Sequence, residues 1–279
     1  MITSFFRYPG GKSRLKKSIL PVMSEAIRDK DKIIYCEPFF GGGSVGLSFI
    51  EEHQDQIAEV VINDVDPAMA DLWTAVIRYP NTLCEEVNNF TPSVDLFFKF
   101  KQDLLSYRGG EDHVMWGFKK LAIHQMSYSG LGTRAGGPIG GISQTSNYKI
   151  DCRWSPKSIC KKIRSISSLL NKVEVADGMC HSDDFSYFLQ NYENYHFLYL
   201  DPPYFKKGPE LYEYSFTDHD HFRLCLELKT CKANWVLSYD CDPTIIEMYK
   251  DWSKIGFIDN IKYTINTSRE SKEILICNK

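Results

Sequence analysis

Short, unbroken apolar runs alternate along the chain with longer stretches whose apolar positions recur at helical spacing. Ile33-Ile34-Tyr35-Cys36, Val60-Val61-Ile62, Phe197-Leu198-Tyr199-Leu200 and Trp235-Val236-Leu237-Ser238-Tyr239 read as buried strands. Val173-Glu174-Val175-Ala176 is a shorter one, and the stretch from Cys180 to Phe185 ends a further strand-like approach. Helices are expected from the turn at 8–13 to about residue 28, over 45–52, across 68–107, and over 114–125, 154–170 and 243–252. Within 68–107, Leu72, Trp73, Val76, Ile77, Leu96, Phe97, Phe100 and Leu104 mark a core-facing stripe. Thr217 with Asp220 caps another helix start, so Asp218-His219-Asp220-His221 reads as a capped terminus rather than a metal site. Residues 258–264 and Glu273-Ile274-Leu275-Ile276-Cys277 look like a closing hairpin. Strands alternating with helices define an α/β fold, interrupted near 119–170 by an insertion.

Composition changes this picture little. At 279 residues, 43% hydrophobic and 25% charged, the chain suits one large core or a core with a smaller insertion. No apolar stretch approaches the ~18 residues of a membrane span, and Met1 to Arg7 lacks the apolar region of a secretory signal. Nine cysteines without a C-x-x-C pair point to reduced thiols packed as small hydrophobes, with no metal. A cytoplasmic protein that does not contact membranes is therefore expected. Charge alters the picture more. Residues 119–164 hold nine lysines and arginines against one acid, Asp151, a local +8 on a chain of net −3. A basic middle on an acidic body fits local binding to a polyanion.

The candidate chemistry lies at the ends of the strands. Leu200-Asp201-Pro202-Pro203-Tyr204 ends a buried strand at a carboxylate, because two prolines cannot continue it. An acceptor-only carboxylate, a stiffly held carbonyl and an aromatic ring suit a flat, amine-bearing ring such as a nucleobase. Tyr8-Pro9-Gly10-Gly11-Lys12 precedes a helix and suits an anionic or carboxylate ligand, but it is no P-loop, since Phe6 occupies the first glycine position. Glu37-Pro38-Phe39-Phe40-Gly41-Gly42-Gly43-Ser44 follows the first strand, and Gly41, Gly43 and Gly46 match G-x-G-x-x-G. Asp64, ending the second strand, can accept hydrogen bonds from ribose hydroxyls. At Asp184, an acid can meet the adenine amine of a cofactor. A nicotinamide-dependent dehydrogenase and an enzyme using another adenosine cofactor both fit these features, although the dehydrogenase leaves Asp201 to Tyr204 unexplained.

Six glycines within residues 127–141 exclude a regular helix or strand there and leave a mobile loop or hairpin tip presenting Tyr128, Leu131, Arg134 and Pro138. An aromatic near an isolated Arg in a basic region suits insertion into a duplex and bidentate reading of guanine. The following helix carries Lys157, Lys161, Lys162 and Arg164, a candidate phosphate-contacting face.

In this order, Arg7-Tyr8-Pro9-Gly10-Gly11-Lys12, Glu37 to Ser44, Asn63-Asp64 and Asp201-Pro202-Pro203-Tyr204 resemble the Dam-type, D12-class adenine-N6 DNA methyltransferases of the alpha group. Tyr128-Ser129-Gly130-Leu131, Phe216-Thr217-Asp218 and Ser271 to Asn278 share the resemblance, which spans nearly the whole chain. It implies a Rossmann-like S-adenosylmethionine-dependent methyltransferase sheet, formed by residues 1–70 and 171–279, with a mainly helical target-recognition insertion at 71–170. It also implies S-adenosylmethionine as methyl donor, double-stranded DNA as partner, a monomer, and a flipped adenine as target, with GATC the first guess. By motif position, Tyr8, Lys12, Glu37, Phe39, Gly41, Gly43, Asp64, Asp184, Phe185 and Asp201 would bind the cofactor, Lys12 near its carboxylate. Asp201, Pro202 and Tyr204 would be catalytic, with Tyr204 stacking on the base. Tyr128, Arg134, Pro138, Lys161 and Lys162 would contact DNA. Two departures stand out: Tyr8 occupies a position where Dam proteins commonly carry Trp, and the loop after Tyr128 is longer by one residue. Cytosine-N4 DNA or RNA adenine methylation is the near alternative, since the same motif can hold another exocyclic amine. A non-catalytic DNA-binding module that keeps the fold is the distant one.

Overall fold

The computed structural model describes residues 3–6, 8, 10–206, 208–211, 213–261 and 271–278. Its strands are β1 (Ile33–Glu37), β2 (Ile57–Ile62), β3 (Glu174–Val175), β4 (Phe197–Leu200), β5 (Asn234–Asp240), β6 (Ser253–Ile261) and β7 (Ser271–Asn278). They form one sheet in the order β3-β2-β1-β4-β5-β7-β6. The pairings β1–β2, β1–β4, β2–β3 and β4–β5 are parallel, while β7 runs antiparallel to both β5 and β6. The strand order reverses between β1 and β4, and a crevice opens at the carboxyl ends of the strands at such a switch point.

Alternation along the strands divides the core in two, because successive side chains leave opposite faces of a sheet. Tyr35, Val60, Phe197, Tyr199 and Val236 pack on one face; Cys36, Val61, Leu198, Leu200 and Leu237 pack on the other. The first face is covered by α1 (Lys16–Ala26), α2 (Gly46–His53), α3 (Pro67–Arg78), α4 (Pro80–Asn89), α5 (Val94–Ser106), α6 (His113–Met126) and α7 (Pro156–Leu170). The second is covered by α8 (Phe185–Gln190), α10 (Asp218–Thr230) and α11 (Pro243–Tyr249), with the single turn α9 (Gly208–Leu211) between α8 and α10 in sequence.

Residues 71–170, expected as an insertion, share the core of the sheet. Trp73, Leu83, Phe97 and Ile163 belong to the same buried cluster as the sheet residues Ile33 and Val60, and α3 runs across the expected boundary at residue 70. Where one helical stretch is expected over 68–107, the structure has three helices. Pro80 forbids continuation from Tyr79, and Pro92 precedes Ser93, whose side chain caps α5 by accepting from the Leu96 amide at 3.2 Å. The strand-like approach at 180–185 reduces to a single bridge between Asn63 and His181. The capping box at Thr217 and Asp220 is present. In the closing hairpin, β6 begins at Ser253, and residues 262–264 of the expected strand lie outside the described residues.

Burial sets an expectation for stability. Leu198 on the central strand β4 is fully buried, whereas Phe222 on α10 is 53% exposed. Leu198→Ala should cost about 2–5 kcal/mol in urea unfolding, against roughly 0.5 kcal/mol or less for Phe222→Ala.

Candidate active site

The cleft at the switch point is lined by residues following β1, β2 and β4 together with the turns after α6. Its floor begins with the glycine turn after β1. Gly41 and Gly43 adopt left-handed φ values of 48° and 65°, and a Cβ on Gly41 would lie 2.8 Å from the Tyr8 ring. Only glycine admits both that conformation and that approach. Trp73 Nε1 donates to the Gly41 carbonyl at 2.8 Å and fixes the turn from α3. Below it, Tyr35 donates to the buried carboxyl of Glu37 at 2.7 Å, and burial pushes that carboxyl well above its usual range.

Asp64 closes the next side. Its Oδ2 accepts from the Gly41 amide at 2.9 Å and its Oδ1 from the Asp66 amide at 3.0 Å. Burial, reinforced by nearby Asp66 and opposed by those amides and Lys120, pushes the Asp64 carboxyl up to about 7. Asn63 holds this corner together: its Nδ2 donates to the carbonyls of Pro38 and Asp183, and its Oδ1 accepts from the Asp183 amide at 2.8 Å.

Asp201 sits where β4 ends. Its Oδ1 accepts from Lys12 Nζ at 2.6 Å and from Ser238 Oγ at 3.0 Å, which leaves Oδ2 without a partner among the described residues. Ser238, on β5, also meets the Tyr199 hydroxyl at 3.0 Å. Lys12 is 2% exposed, lies 4.4 Å above the Tyr204 ring and has Glu273 Oε2 at 3.9 Å. Burial alone would lower the Lys12 pKa, but the carboxylates of Asp201 and Glu273 reverse this and hold it well above the usual lysine value. Tyr204 donates to Glu273 Oε1 at 2.5 Å.

The expected residues are therefore distributed unevenly. Tyr8, Glu37, Phe39, Gly41, Gly43, Asp64, Arg134 and Asp201 line the cleft, as does Pro203. Lys12 lies beneath Asp201, and Tyr204 is 6% exposed, its ring committed inward. Asp184 caps α8 through the Ser186 amide and gives both carboxylate oxygens to Arg223, while Phe185 packs behind Phe39 with ring centroids 5.6 Å apart.

The glycine-rich loop is a packed hairpin tip. Ser127 bridges Pro138 in antiparallel fashion, Lys101 donates to the Ala135 carbonyl at 2.8 Å, and Gly132 and Thr133 are buried. Tyr128 is left 65% exposed, and Pro138 is buried. On α7, Lys157, Lys161 and Arg164 share the exposed face, whereas Lys162 Nζ donates to the Ser4 carbonyl at 3.1 Å.

Several site residues carried no motif signal: Ser238, Tyr199, the Lys120–Asp66 ion pair and His124. His124 lines the cleft, its Nδ1–H donating to the Gly130 carbonyl at 2.8 Å, and burial followed by nearby Lys120 lowers its pKa to about 3. Glu273 was visible in principle, as an acid inside the apolar run of a strand.

Parallel strands around a glycine turn, and a carboxylate-ended β4 at the same cleft, define a Rossmann-like methyltransferase fold. The family model for the D12 class N6 adenine-specific DNA methyltransferases matches residues 8–265, and the chain belongs to that family. It is similar to the type II methyltransferase M.MjaIII of Methanocaldococcus jannaschii, at 21% identity over 262 residues covering 86% of each chain. Two crystal structures of the rRNA methyltransferase aviRa from Streptomyces viridochromogenes also align, at 12% and 11% identity, each with a TM-score of 0.40 over 97% of this chain and 86% of that one.

The buried charge pair carries an expectation of its own. Lys12→Met removes the buried cation that sits 2.6 Å from Asp201 and 3.9 Å from Glu273, and should cost about 3–5 kcal/mol in denaturant unfolding at neutral pH.

Proposed function

We propose that the chain is a site-specific DNA adenine-N6 methyltransferase that takes its methyl group from S-adenosylmethionine and acts on an adenine flipped out of duplex DNA. The observation that carries the reading is Asp201: one oxygen is doubly held, and the other stands at the cleft with no described partner. The residues present fit the donor. The Gly41–Gly43 turn under Tyr8 provides close backbone approach, the buried Glu37 carboxyl lies at its base, and Asp64 keeps acceptor capacity for ribose hydroxyls.

S-adenosylmethionine, when bound, supplies an electrophilic methyl group on a sulfonium. The adenine amine is a poor nucleophile because its lone pair is delocalised into the ring. Hydrogen bonds from its N–H groups to Asp201 Oδ2 and the Pro202 carbonyl pull the nitrogen toward a pyramidal geometry with its lone pair aimed at the methyl. With the donor bound, an N–C bond would form as its S–C bond breaks, and Asp201 Oδ2 would accept the amine proton along their hydrogen bond. Placement and fixed charge are the levers here. Stacking on Tyr204 adds roughly 1–3 kcal/mol once the ring, buried here, is uncovered by the arriving base.

Residues 71–170 serve as the target-recognition insertion. In this reading the exposed Tyr128 enters the duplex, the exposed Arg134 reads bases from the tip that the buried Pro138 supports, and Lys161 contacts phosphate with Lys157 and Arg164. Lys162 contributes by tying the N-terminal segment to α7. GATC is the first target to test, on the Dam resemblance.

With labelled S-adenosylmethionine and GATC-containing duplex DNA, Asp201→Ala should lose about 10²–10⁴-fold in methylation rate; equal rates for variant and wild type would remove Asp201 from catalysis. Asp64 adds a pH dependence. Its raised folded pKa of about 7 means that the ionised acceptor is depleted as pH falls through 7. The affinity for S-adenosylhomocysteine should weaken about tenfold between pH 8 and pH 6, tracking the ionised fraction. A pH-independent affinity in calorimetry would dissociate Asp64 from the ribose.

A further inference from the structure

Phe39, on the lining of the cleft, belongs to a cluster of three phenylalanine rings from three separate segments. Phe39 follows β1 and lines the cleft, Phe185 opens α8, and Phe216 precedes α10. Their centroids lie 5.6 Å apart for Phe39–Phe185, 5.6 Å for Phe39–Phe216 and 5.2 Å for Phe185–Phe216. Van der Waals contact alone leaves such a wall free to shift, since no polar group ties one ring to another.

One side chain removes that freedom. The Arg223 guanidinium carbon lies 4.4 Å from the Phe185 ring centroid. Its Nη1 donates to Asp184 Oδ1 at 2.8 Å and Ser186 Oγ at 3.0 Å, and its Nη2 to Asp184 Oδ2 at 2.9 Å and Asp220 Oδ1 at 3.1 Å. Asp220 belongs to the capping box that starts α10 directly after Phe216. Arg223 thus joins the N-terminus of α8 to that of α10, and grips the two residues between which Phe185 and Phe216 are hung. Burial alone would raise the Asp184 pKa; the Arg223 fork and the Ser186 amide outweigh it and hold it low. A planar fork that also stacks on an aromatic face is a job for arginine and not for lysine.

We infer that Arg223 is a positioning residue for the methyl donor: it fixes the aromatic wall, Phe39 backed by Phe185, against which the donor's purine base packs. This rests on the reading of the cleft as an S-adenosylmethionine site. Arg223 does not touch the reacting atoms, which gather at β4, two strands away from β2 and its Asn63–His181 bridge. Its loss therefore changes donor binding and leaves the transfer step alone.

The test compares wild type, Arg223→Lys and Asp184→Asn in three measurements: calorimetric affinity for S-adenosylhomocysteine, donor KM against kcat, and affinity for duplex DNA. Arg223→Lys keeps the charge but loses the fork and much of the stacking, so it stays folded while the wall loosens. The expected result is affinity for S-adenosylhomocysteine reduced about tenfold and donor KM raised similarly in both variants, with kcat and DNA affinity within about twofold of wild type. If wild type binds S-adenosylhomocysteine and both variants bind it equally well, Arg223 has no positioning role and the inference falls alone. A loss confined to kcat would overturn it as well. Failure of wild type to bind S-adenosylhomocysteine would overturn the proposed function itself.

Discussion

Lys12 Nζ and Asp201 Oδ1 meet at 2.6 Å beneath the cleft, with Ser238 Oγ on the same oxygen at 3.0 Å and Glu273 behind the ammonium. A buried ion pair of this kind is a poor way to gain stability, because the desolvation of both charges consumes most of the attraction. Its value lies in orientation. With Oδ1 fixed from two directions, the carboxylate cannot rotate, and Oδ2 is delivered to the cleft in one position. Asp201 and then Glu273 keep Lys12 charged despite its burial, and the Tyr204 hydroxyl holds Glu273 in turn. Each group holds the next, so the Asp-Pro-Pro-Tyr stretch is tied to a residue almost two hundred positions earlier and to another near the end of the described chain.

Topology explains why these distant residues converge. The reversal of strand order between β1 and β4 opens the sheet at its carboxyl end, and β7, inserted antiparallel beside β5, brings Glu273 to the same face as Tyr199. The N-terminal segment crosses that face ahead of α1 and carries Tyr8 over the glycine turn and Lys12 under Asp201. Helices α3 to α7 grow from the same face and share its core, so the basic face of α7 and the cleft are parts of one packed layer.

The fold was largely readable from the sequence because both periodicities are strong where burial is complete. The run Phe197 to Leu200 is the strand β4 to the residue, and Thr217 with Asp220 caps α10. The apolar stripe over 68–107 persists through Pro80 and Pro92, whose backbone constraints outrank the pattern and divide the stretch into three helices. Of the site, the residues on tight turns were legible: Gly41, Gly43, Asp64 and Asp201 carry motifs that local geometry demands. Lys12 was assigned to a ligand carboxylate, yet in the structure its partner is a carboxylate of the chain itself. Ser238, Lys120 and Arg223 carried no signal, since a single polar residue in a strand or helix reveals its partner only after the sheet is assembled.

The central claim concerns which atom receives the methyl group. Duplex DNA methylated by the wild-type protein with labelled S-adenosylmethionine, digested to nucleosides and separated by chromatography, identifies that atom directly. All label in N6-methyldeoxyadenosine is the expected result; label in N4-methyldeoxycytidine, or methylation of RNA in place of DNA, would contradict it.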